Sequence, residues 1–253
     1  MGSVAEAFRG NVSHVLELAE FDKVIIDIAV HRLETIETLL RKNGIDNPLF
    51  LPTQTIEALR RISTHGSLRA KYQQIYNQCV VLLASYFGSA VHDVFRGAFP
   101  LALNAASGKL LGEELKLTLE EIREARAWPA ERLGDWFLMH RDVSFQDLQS
   151  IARAFEKYLD IAPAKDEIAH DVILGHAARH AIVHAGGRVD RRMLAQVSAA
   201  TPRSLKPILN EGEVLEFKIE ELQSLGAAMH TYVERLESGV LVRWGGEVVS
   251  KDL

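Results

Sequence analysis

Between positions 176 and 192 the 253-residue sequence gathers His176, Arg179, His180, His184, Arg188, Arg191 and Arg192 around a Gly186-Gly187 pair. Imidazole takes up and releases a proton near neutrality, because its unperturbed pKa is about 6.5. Guanidinium stays charged and holds anions through a planar fork of N–H groups. From His170 to Arg192 four arginines stand against Asp171 and Asp190, a local charge of +2 in a chain of net charge −5. Glu211 to Glu237 carries seven glutamates against Lys218 and Arg235, a local −5. An anionic ligand is therefore drawn to the first segment.

Spacing decides which of these groups can act together. At about 100° per residue, His176, His180 and His184 fall within roughly 80° of one another on a helix. Arg179 and His184 stand roughly 140° apart, so they meet one ligand only in a cleft that wraps the helix or at its frayed end. The same residue types also have structural uses, a packed helical His or an Arg capping the last carbonyls. The His176/His180 and His180/His184 pairs have the spacing by which two imidazoles chelate zinc. A zinc peptidase would place its Glu directly after the first His, and Ala177 and Ala181 stand there, so no metal is assigned. No Gly-rich phosphate loop or Gly-x-Ser-x-Gly elbow is present, and no cofactor is assigned. His92-Asp93 is an imidazole–carboxylate neighbour pair, but adjacent helical residues do not face each other.

Apolar periodicity predicts helices nearly throughout. Phe21 to Asn43 carries Val24, Ile28, His31, Leu33, Ile36, Leu39 and Leu40 at helical intervals, with Asn43-Gly44 as a stop. Asn47-Pro48 and Leu51-Pro52 break the chain, and a short helix ends at His65-Gly66. The longest helix opens at Ser67 as N-cap and runs through Ile75, Leu83, Phe87 and Phe95 toward Pro100; apolar on more than one side, it reads as the central core helix. Residues 104–143 read as an irregular insertion in which a Thr118/Glu121 capping box opens a short acidic helix. Ser144 with Asp147 opens a helix bearing Leu148, Ile151, Ala152, Phe155 and Leu159 on one stripe. Asp166 to Ala185 is the helix that carries the imidazoles, with Ile182 and Val183 as its core-facing anchor. Val214 to Ile219 alternates like a short strand, and Glu220 to Glu237 is a last amphipathic helix stopped by Gly239. The expectation is one all-α domain over 1–253, a helical bundle with its core at about 21–237.

Composition bounds the function classes. Apolar residues at 47%, with 17 Gly and 7 Pro, exclude fibrous and low-complexity chains. A single cysteine, Cys79, excludes an intramolecular disulfide or multi-thiolate metal site and points to a reducing cytoplasm. The net negative charge argues against a protein that coats nucleic acid globally. The longest uninterrupted apolar run, Cys79 to Ala84, is short against the roughly 20 residues of a membrane span, and Met1 to Arg9 shows no secretory pattern. No membrane association is expected.

Arg179-His180-Ala181-Ile182-Val183-His184 resembles the Arg-x-x-x-x-His motif of the HEPN domain family, in which a polar residue commonly follows the Arg. The following Gly186-Gly187-Arg188-Val189-Asp190 is similar to the RiboL-PSP-HEPN branch of bacterial nucleases and toxins, and Ile75 to Phe87 resembles the long early helix of that group. The sequence departs from that pattern at Gly88-Ser89, where relatives often carry an acidic residue, and at Ala185, where many carry Asn. The resemblance implies metal-independent RNA cleavage by a helical homodimer whose two motifs face a shared cleft. RNA brings its own nucleophile, the 2′-OH, so the protein moves protons and stabilises charge on the phosphate oxygens. On this reading His184 is general acid or base, Arg179 clamps the phosphate, His180 assists, and Arg188, Arg191, Arg192 and Asn77 contact RNA. The resemblance leaves room for a cognate antitoxin as partner. The alternative is a non-catalytic helical module that binds RNA or a protein.

Overall fold

A computed structural model describes residues 3–45, 52–64, 69–105, 108–112, 114, 118–125, 131–141 and 143–245. Among these the helices are α1 (Val4–Lys42), α2 (Pro52–Thr64), α3 (Arg69–Asn104), α4 (Gly108–Leu111), α5 (Leu119–Ala125), α6 (Glu131–His140), α7 (Leu148–Leu159), α8 (Glu167–His184), α9 (Arg191–Val197) and α10 (Ile219–Trp244). The fold is all-α, as its periodicity predicts. The expected breaks at Asn47-Pro48, the stop at His65-Gly66 and the Ser67 cap lie outside the described residues.

α3 is the axis of the bundle, with α1, α6, α7, α8 and α10 packed against it. Its buried Phe87 meets Phe8 of α1, His176 of α8 and Tyr232 of α10, with ring centroids 5.4–6.2 Å apart. One turn pair further on, Phe95 meets Phe137, Phe145, Phe155 and Tyr158. α3 runs through Pro100 to Asn104, past the stop expected there. Pro100 removes one backbone N–H inside the helix, a cost of about 3 kcal/mol, against which stands the burial of Phe99 and Ala102 on either side of it. By length and mean hydropathy α3 is also the one described helix that passes as a membrane span, and half of that window is buried inside the protein.

Among its described residues the stretch 104–143 holds α4, α5 and α6 where an irregular insertion with one short helix is expected. Phe137 of α6 stacks on Phe99 with centroids 4.4 Å apart, so this stretch completes the aromatic core. The Thr118/Glu121 capping box is present: Glu121 accepts from the Thr118 N–H at 2.7 Å, and Thr118 Oγ1 accepts from the Glu121 N–H at 3.2 Å. Asp147 alone, without Ser144, caps α7, whose Leu148, Ile151, Phe155 and Leu159 are buried as the stripe predicts. α10 continues through Gly239 to Trp244, and the glycine serves close packing, since a Cβ there would stand 3.2 Å from Ile161 Cγ2. The alternation at Val214 to Ile219 forms no strand. Its one ladder contact is an isolated antiparallel bridge between Arg188 and Val214, while Leu215 and Phe217 are buried.

α1 begins at Val4, well before Phe21. Glu237 of α10 accepts from the Val4 N–H at 2.9 Å and holds the first turn, and Phe8, Val12, Val15 and Ala19 enter the core. The core thus starts before residue 21. Beyond Ala19, α1 projects as an arm against which α2 packs. There Phe21, Val24, Ile28, Ile36 and Leu39 are exposed, although their spacing is that of a helical stripe.

Candidate functional site

Asp166 opens α8 by accepting from the Ala169 N–H at 3.1 Å. Its interior alanines, Ala177, Ala178 and Ala181, and Gly175 are buried against the neighbouring helices. Small side chains let α8 approach closely: a Cβ on Gly175 would stand 2.8 Å from Leu225 and Met229 of α10. That leaves the polar residues of α8 distributed around the rest of the helix. Val183 is half exposed and takes no part in the anchor expected of it; Ile182 packs against the core.

The helix ends in a left-handed turn, with φ +61° at Gly186 and +72° at Gly187. Leu215 donates to the Gly187 carbonyl and Val189 to the Glu213 carbonyl, both at 2.8 Å, so the turn is stitched to 213–215. Asn77, expected to contact RNA, is buried here. Its Oδ1 accepts from Gln73 Nε2 at 3.0 Å, and Gln73 also donates to the Leu215 carbonyl at 3.2 Å. A Cβ on Gly187 would come to 3.4 Å from Asn77 Nδ2. Asn77 therefore braces the Gly186-Gly187 turn instead of lining a cleft.

Arg179 and His176 face α3. With Ser85, Gly88, Ser89, His92 and Asp93 of α3 and Phe145 and Gln146 before α7, they line an open pocket. The Nε of Arg179 and Nε2 of His176 are both buried without a hydrogen-bond partner. Burial, and then the neighbouring guanidinium of Arg179, push the His176 imidazole down to about 4, so it is neutral at physiological pH. Arg179 is thus the permanently charged group of this pocket, and the His92 ring of α3 also lines it. His92 Nδ1 lies 3.8 Å from Asp93 Oδ1, and Asp93 is also 3.4 Å from Arg96.

His180 and His184 do not line that pocket. Their rings lie with centroids 4.7 Å apart. Burial lowers the His180 pKa, and Arg192 and His184 lower it further, so His180 favours the unprotonated form that accepts a proton. Arg192 is exposed. Arg188 donates to the Gly212 carbonyl at 3.0 Å, and Arg191 pairs with Glu211 at 3.0 Å across exposed surface. Within one chain the fold thus makes two groups on α8, Arg179 with His176 and His92, and His180 with His184 and Arg192. The 140° between Arg179 and His184 keeps them apart, as the helical wheel requires.

Sequence reasoning passed over His92 and Asp93 because the two neighbours diverge on a helix. They matter through their shared relation to Arg179. The signal was Ser85, Ser89 and His92, polar residues at i, i+4 and i+7 in the mainly apolar stretch from Cys79 to Phe95. Among the described residues no three His, Cys, Asp or Glu side chains gather in a metal-binding arrangement. Compared with protein-family models, curated proteins and solved structures, the chain finds no match in any of the three.

Proposed function

We propose that this chain is a metal-independent endoribonuclease of HEPN type, acting in the cytoplasm as a toxin or defence effector. The observation that carries the reading is the Arg179 pocket. An arginine whose Nε has no protein partner faces open space beside the His92 ring, with His180 and His184 on the adjoining face of the same helix. Such a guanidinium grips a phosphodiester and stabilises the charge that builds on it. An imidazole takes the 2′-OH proton as the 2′ oxygen attacks phosphorus, and a second imidazole returns a proton to the departing 5′ oxygen. The products are a 2′,3′-cyclic phosphate and a 5′-OH.

His184 and His180 are assigned to proton transfer and Arg179 to the phosphate; His92 is added as an imidazole of α3 that lines the same pocket as Arg179. Because Arg179 and His184 diverge within one chain, the complete site is assigned to a homodimer in which each motif faces the other. Arg192 guides the backbone from outside, while Arg188 and Arg191 do so only after leaving Gly212 and Glu211.

The experiment is RNA cleavage by the purified chain in EDTA. Arg179→Ala and His184→Ala should each abolish most cleavage with melting nearly unchanged, and the products should resist 5′ ligation until phosphorylated. Unaltered cleavage by either variant, or dependence on added metal, would remove the mechanism. Binding of RNA without scission by the wild type would instead favour a non-catalytic module, a reading that the separation of Arg179 from His184 within one chain supports.

A further inference from the structure

The α1 arm carries two apolar faces. One belongs to the monomer: Phe8, Val12, Val15 and Ala19 enter the core, and further along the arm α2 packs against it. The other consists of Leu18, Phe21, Ile25, Ile28, Ile36 and Leu39, which are 41–62% exposed. At about 100° per residue these six fall within roughly 80° of helix circumference, turned well away from the core-facing residues. They form a stripe spanning about 32 Å of helix, interrupted at Arg32 between Ile28 and Ile36.

We propose that this stripe is a dimerisation surface, on which a second copy of the same chain lies antiparallel with a two-fold axis beside Ile28 and Ala29. The argument for this occupant is the symmetry of the stripe itself. Reversing the helix about that axis sets Leu18 opposite Leu39 and Phe21 opposite Ile36. It sets Ile25 opposite Arg32, whose aliphatic stem covers it. A two-fold contact needs a surface complementary to itself in this way.

Charge and area agree. Residues 17–28 carry Glu17, Glu20, Asp22 and Asp27 against Lys23, a local −3, and residues 29–42 carry Arg32, Arg41 and Lys42 against Glu34 and Glu37, a local +1. The carboxylates of the second half are already engaged, Glu34 by Arg60 and Glu37 by Arg41 and Thr53. Antiparallel pairing therefore brings the acidic half of each copy to the basic half of the other, and opposes the two helix dipoles favourably. Complete covering of the six side chains would bury at most about 600 Å² per copy, so the pair comes to the lower edge of the standard interface range. At the root of the stripe Leu18, Phe21 and Ile75 form an apolar hollow edged by Gln74 and Gln78, placed to receive Leu39 of the second copy. The inference stands whether or not the protein cuts RNA.

Sedimentation velocity of the full chain tests it. The wild type should sediment as a dimer, and Ile28→Glu, which places two carboxylates at the axis, should sediment as a monomer with unchanged helical circular dichroism. Under oxidation the double variant Leu18→Cys/Leu39→Cys should form a disulfide-linked dimer while neither single variant does, since Cys79 is fully buried and does not compete. A monomeric wild type at all concentrations, an Ile28→Glu dimer, or cross-linking by either single variant would overturn the proposal. So would a wild-type monomer that floats with phosphatidylcholine vesicles through this stripe.

Discussion

Replacing His176 by Phe separates the pH dependence of one buried ring from that of the rest of the molecule. In the fold the imidazole is edge-on to Phe87, hydrogen-bonds the Gln146 backbone and is held down to about 4 by burial and by Arg179. Unfolded, it titrates at about 6.5. The folded pKa is depressed, so the unfolded chain binds more protons between these values; the contribution is fully present above about 6.5 and is lost as pH falls toward 4. Linkage gives a loss of about 2 kcal/mol by pH 5 and about 3 kcal/mol by pH 4 relative to pH 8. Phe keeps the edge contact, gives up one hydrogen bond and removes the unpartnered Nε2, so at pH 8 the two proteins should agree within about 1 kcal/mol. Urea unfolding at pH 8, 6 and 5 measures the difference. The expected result is that His176→Phe gains about 2 kcal/mol on the wild type between pH 8 and 5. A difference that stays constant with pH would show that His176 is not the desolvated neutral ring described here.

Three further outcomes follow from the packing and the pocket. Phe137→Ala should cost about 3–5 kcal/mol in chemical denaturation, because Phe137 is enclosed by Phe99, Phe95 and Tyr158; a loss under about 1 kcal/mol would detach α6 from the core. Gly187→Ala should cost about 1–2 kcal/mol from its positive φ, measured by thermal melting, while a neutral substitution would contradict the left-handed turn beside Asn77. His92→Gln should lower RNA cleavage at saturating substrate without changing the melting temperature. An unchanged rate would remove His92 from the pocket's chemistry.

Helix periodicity was legible because most helices bury one stripe, as α7 does with Leu148, Ile151, Phe155 and Leu159. It misled at α1, where the exposed stripe obeys the same spacing as a buried one, so periodicity alone could not say which face meets the core. Asp166 and the Gly186-Gly187 turn were readable from residue type, since capping and positive φ are local requirements. Gly239 was not, because a glycine tolerated for the approach of Ile161 looks in sequence like one that ends a helix. The apolar residues of 104–143 lack a long period, and only tertiary contact shows that Phe137 belongs to the core. At the site, the helical wheel correctly separated Arg179 from His184. The burial of Asn77 and the proximity of Arg179 to His92 depend on how α3 meets α8, which no local pattern encodes.

The central claim is that Arg179 and His184 complete one ribonuclease site across two copies of the chain, and subunit mixing tests it most directly. Arg179→Ala and His184→Ala proteins are unfolded together, refolded as a 1:1 mixture and compared with each variant alone on the same RNA in EDTA. Half of the dimers in the mixture then hold one intact Arg179–His184 combination, so activity should return to about a quarter of the wild-type rate, from variants that are each nearly inactive. A mixture as inactive as its components, or a wild type that leaves RNA uncut, would contradict the account.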